Sequence, residues 1–107
     1  MMPRVVVVLT TVPEGSLGDE IASVLIAERL AACVNVCSPM TSFYRWKGNV
    51  ERDTECQLVI KTTEDRVAAL QQRITELHSY ALPEFLVLEA ATGSEAYFDW
   101  VSAETRP

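Results

Sequence analysis

The sequence predicts an α+β fold, a four-stranded antiparallel sheet with two helices packed on one of its faces. Three observations carry that expectation. Runs with strand character and runs with helical spacing follow one another in the order β-α-β-β-α-β. The second and third strands flank a Gly48-Asn49 turn signal and form one long central hairpin. The chain has 107 residues, of which 49% are hydrophobic and 22% charged. That length and balance suit a single folded domain over residues 1–107 with one core, and argue against disorder.

The elements follow in order. Val5–Leu9 is a β-branched apolar run ending at Thr10-Thr11-Val12-Pro13, and it reads as a central strand buried on both faces. Ser16, with Asp19 three residues on, has the spacing of a capping box. Leu17, Ile21, Val24 and Leu25 continue from it at helical spacing, so a helix is expected to about Leu30–Ala32. Cys33–Cys37 begins a strand that Pro39 interrupts, because proline donates nothing to a ladder. Thr41–Lys47 resumes it, with Tyr44 and Trp46 on one face and Phe43 and Arg45 on the other. Gly48-Asn49, with glycine first, matches a type II′ hairpin turn.

Val50–Thr62 returns as a long strand, with Cys56, Leu58 and Ile60 on one face and Glu55, Gln57, Val59 and Lys61 on the other. Thr62-Thr63-Glu64-Asp65 opens a second helix whose apolar stripe is Val67, Leu70, Ile74 and Leu77. Ser79–Pro83 breaks it, and Phe85–Leu88 is the last strand. Ser94 starts a short terminal helix carrying Tyr97, Trp100 and Val101. This order is the split βαβ, or ferredoxin-like, arrangement with a C-terminal helix added. Its sheet keeps one open face, and its long hairpin has an edge that a second chain would cover, so an oligomer is expected.

Composition narrows the function. The net charge is −6, which disfavours a nucleic-acid partner, since phosphate binding needs a basic face. No apolar run approaches the roughly 20 residues of a membrane-spanning helix, and Met1-Met2-Pro3-Arg4 does not open a secretory pattern. The three cysteines, Cys33, Cys37 and Cys56, show no CxxC spacing. An odd count fits free thiols in a reducing, cytoplasmic setting. Cys37, beside Pro39, is the candidate for a reactive thiol.

His78 is the only histidine, at the end of the second helix. It is either a borderline-soft metal ligand or a helix-end side chain bonded to a carbonyl. One imidazole makes no metal site alone, so other groups or symmetry mates would have to complete it. As a ligand it must be neutral, so binding would weaken in acid. Tyr44, Trp46, Lys61, Tyr80 and Glu84 could line a pocket where the hairpin meets the end of the second helix. There is no GxSxG, Walker or GxGxxG motif, and nothing resembles an activated nucleophile.

Five segments together resemble the CutA divalent-cation-tolerance family: TTVP at 10–13, AERLAACVNV at 27–36, TSFYRWKG at 41–48, KTT at 61–63 and LHSYALPE at 77–84. YFDWV at 97–101 matches the family's closing segment, so the resemblance runs from about Val5 to Val101. It implies a ferredoxin-like domain in a homotrimer, similar in outline to the PII signalling proteins. It also implies a link to tolerance of copper and other divalent metals. By that resemblance His78 is the metal-associated histidine, while Tyr44, Trp46, Lys61, Tyr80 and Glu84 surround an intersubunit cleft. Some members carry a second histidine where this chain has Leu77, a cysteine implicated as a ligand where it has Thr10, and a proline where it has Ser79.

The expectation is therefore a non-enzymatic, cytoplasmic homotrimer that binds a divalent metal ion, Cu²⁺ or similar, and serves metal tolerance. One alternative is a PII-like signalling trimer binding a small ligand in the intersubunit cleft. A second is a small enzyme built on Lys61, Tyr80 and Glu84.

Overall fold

The computed structural model describes residues 3–107, so the Met1-Met2 start lies outside the described residues. The order is β1 (Val5–Pro13), α1 (Leu17–Ala27), β2 (Cys33–Val36), β3 (Met40–Trp46), β4 (Asn49–Thr63), α2 (Val67–Leu77), β5 (Leu86–Glu89) and α3 (Glu95–Glu104). A single 3₁₀ turn, Glu64–Arg66, leads into α2. The sheet runs β2-β4-β1-β5 with every pair antiparallel, and β3 extends the β2 edge along β4. The α+β, ferredoxin-like arrangement expected from the pattern is the one observed. Pro39 divides the second strand into β2 and β3, as its missing N–H requires.

Alternation decides which residues the helices cover. Val6, Val8, Thr10 and Val12 of β1 and Cys56, Leu58, Ile60 and Thr62 of β4 are buried against the helices. Ile21 and Leu25 of α1 and Leu70 and Ile74 of α2 close that core. Gly18 lets α1 approach the sheet, since a Cβ there would sit 3.1 Å from Val12 Cγ2. The opposite face carries Val7, Leu9, Val59 and Lys61. Leu88 lies opposite Val7 and Leu86 opposite Leu9, so both share that open face. Hence β1 is covered by α1 and α2 along one face, and on the other only its first residue, Val5, is buried, beside Thr63 where Thr105 follows α3.

Three local expectations change. Ser16 is the N-cap of α1 but makes no side-chain cap, and its hydroxyl faces Glu20 Oε1 at 3.4 Å instead. The helix stops at Ala27 rather than near Leu30. Arg29 takes a left-handed φ of 57°, Leu30 N–H donates to Leu25 O at 2.9 Å, and Arg29 N–H donates to Ile26 O at 3.1 Å. That is a Schellman end, in which Leu30 is buried as the apolar residue after the turn and not as part of the helix. The hairpin turn is Lys47-Gly48, because Trp46 pairs with Asn49. Both turn residues have positive φ, 49° and 84°, so the turn is type I′ rather than II′, a twist that suits the flanking strands.

At α3 the expectation holds, with Ser94 Oγ accepting from Tyr97 N–H at 3.3 Å. Arg29 donates to the backbone carbonyls of Ala103 and Arg106, which ties the end of α3 to the end of α1. The 15-residue β4 spans about 50 Å at strand rise, comparable to the molecule's longest dimension of 47 Å. No described helix is long and apolar enough to cross a membrane.

Candidate functional site

Residues facing away from the helices on β1, β3 and β4 meet the Ser79–Glu84 segment in a groove of about 680 Å³. Tyr44 and Trp46 supply aromatic walls, Thr11 and Glu55 come from the sheet, and Tyr80 and Glu84 close the far side. Register explains the convergence. Met40 pairs with Glu55, so β3 sends Met40, Ser42, Tyr44 and Trp46 to the face that carries Glu55 and Gln57.

His78 fastens the segment in place. Its Nδ1 accepts the Tyr80 N–H at 3.1 Å, and its Nε2 lies 2.7 Å from Thr11 O. A backbone N–H only donates and a carbonyl only accepts, so the ring is the neutral tautomer with its proton on Nε2. The ring also packs on Tyr80 with centroids 4.7 Å apart. Tyr80 in turn donates its hydroxyl to Glu55 Oε2 at 2.7 Å. A continuous chain thus runs from Thr11 through His78 and Tyr80 to Glu55.

The groove is electronegative. Glu55 is buried, with 8% of its surface exposed. Glu84 Oε2 is buried and has no hydrogen-bond partner. Burial pushes the Glu84 carboxyl above its usual range, and the Glu55 charge pushes it further. Burial, then the bond to Glu55, raises the Tyr80 hydroxyl. Tyr44 donates to Asp53, and that bond pushes its hydroxyl up to about 12. Among the described residues, no Lys, Arg or His lines the groove.

The sequence-predicted residues divide. Tyr44, Trp46, Tyr80 and Glu84 line one groove, and His78 stands behind Tyr80. Lys61 does not join them. It is four residues beyond Gln57 on β4, about 13 Å at strand rise. There it donates to Asn35 Oδ1, and its Nζ lies 4.0 Å from Cys33 Sγ. Cys56 is buried, while Cys33 and Cys37 are half-buried and free. Glu55 is the residue the site reading missed. Its face was legible from alternation, but nothing local announced that Tyr80 would lie over it.

The model of the CutA1 divalent ion tolerance protein family matches residues 6–104. This chain belongs to that family. The divalent-cation tolerance protein CutA of Thermus thermophilus is 44% identical over 99 residues, 92% of this chain and 96% of its own. The crystal structure of CutA1 from Oryza sativa superposes with a TM-score of 0.94 at 37% identity, covering 98% of this chain and 96% of that one. A structure described as the periplasmic divalent cation tolerance protein CutA from Archaeoglobus fulgidus has a TM-score of 0.92 at 28% identity, with 95% and 99% covered.

CutA family membership makes divalent metals relevant to this chain. Among the described residues, no group of three or more His, Cys, Asp and Glu side chains could hold a metal ion. Both nitrogens of His78 are engaged, and a metal would have to displace one of those bonds. Thr10, where some CutA members carry a cysteine, is fully buried beneath the helices with its hydroxyl unpartnered. A single chain therefore does not fit a resident copper site, which would gather several nitrogen or sulfur donors.

Proposed function

We propose that this chain serves divalent-cation tolerance as a non-enzymatic cytoplasmic homotrimer that meets divalent ions, Cu²⁺ among them, at the clefts between its subunits. One observation carries the assembly. The open face and outer edge of the sheet leave Leu86 and Leu88 about half exposed, at 52% and 51%, beside Val87, Val7 and Leu9. An uncovered apolar edge strand is a liability until another chain covers it. The two edges of the sheet differ, β5 on one side and β2 with β3 on the other. Pairing unlike edges head to tail is heterologous, and a closed ring satisfies every copy. Three is the number the family resemblance implies.

The incomplete donor set agrees with metal contact between chains, where symmetry mates bring further donors. His78 contributes there if it releases Thr11 O or Tyr80 N–H. Light scattering at low micromolar concentration tests the assembly, with three times the 11.9 kDa chain mass expected and a clean monomer refuting it. Calorimetric titration with Cu²⁺ tests the metal. Equal affinity of wild type and His78→Ala removes His78 from the contact. The groove favours the second reading, a signalling trimer with a small ligand, but phosphate groups find no basic partner in it.

A further inference from the structure

We draw no further inference here: the strongest candidate, the side-chain cluster of Cys33, Asn35 and Lys61 on the open face of the sheet, carries nothing, because nothing in the structure shows what covers that face and no second observation beside the lone thiol points to a ligand.

Discussion

Two threonines in the same core should respond to the same substitution with opposite signs. Thr10 and Thr62 are both fully buried, at 0% exposure, beneath the helices. Thr10 Oγ1 has no partner, whereas Thr62 Oγ1 donates to Leu30 O at 2.7 Å. Valine replaces the hydroxyl by a methyl group of similar size and is the better strand residue. At Thr10 the change removes an orphaned polar group, whose burial carries a penalty of about 1–3 kcal/mol. Thr10→Val should therefore stabilise the protein by about 1–2 kcal/mol. At Thr62 it breaks a made bond that anchors the turn after α1 and leaves a carbonyl short of a donor. Thr62→Val should destabilise by about 1–2 kcal/mol. Each kcal/mol moves the thermal midpoint by about 4–8 °C in a domain near this size. Urea and thermal unfolding followed by circular dichroism read both, at one protein concentration because assembly links stability to concentration. The urea midpoints should move in opposite directions with unchanged slope. Shifts of the same sign, or a less stable Thr10→Val, would refute the assignment of the hydroxyls.

Leu86→Glu places a charge on the half-exposed apolar edge strand and should convert the assembly toward the 11.9 kDa monomer in light scattering. Glu84→Gln should raise stability at pH 7. Burial raises the folded-state carboxyl above its unfolded value, so the penalty is complete above that raised value, shrinks as pH falls below it and is gone below the unfolded value. Unfolding of both proteins from pH 7 to acid should show the difference closing. Asp65 behaves in the opposite sense. The Arg106 guanidinium, with help from Thr63, holds its carboxyl down to about 2. Its contribution is complete above the unfolded value near 4 and is lost as pH falls toward 2. Both partners are near half exposed, at 47% and 40%, so Asp65→Asn should remove about 1 kcal/mol or less of that acid-sensitive stability in the same titration.

Much of the fold was legible because it is written in short-range periodicity. The alternation of Cys56, Leu58 and Ile60 placed one face of β4 in the core, and the stripe through Leu70 and Ile74 did the same for α2. The Ser94 cap was readable because the group it satisfies lies three residues away. The end of α1 was not. Leu30 continues the apolar spacing, but it is buried through the turn that Arg29 makes, and apolarity alone does not separate the two. The hairpin turn slipped by one residue because Lys47, rather than a glycine, takes the first left-handed position. At the site, Tyr44 and Trp46 share a face by alternation, whereas Lys61 shares that face yet stands too far along the strand.

The sequence by itself determined the order of elements, the covered face of β4 and the family, all of which rest on residues near one another or on quoted motifs. Only the tertiary structure decided that Tyr80 lies over Glu55, that Glu84 keeps an oxygen without a donor, and that His78 spends both nitrogens on the backbone. The physical reason is separation. Thr11 and His78 are 67 positions apart, and Glu55 and Tyr80 are 25 apart. Their meeting depends on the path of the chain leaving α2 and crossing the end of the sheet, which no local period encodes.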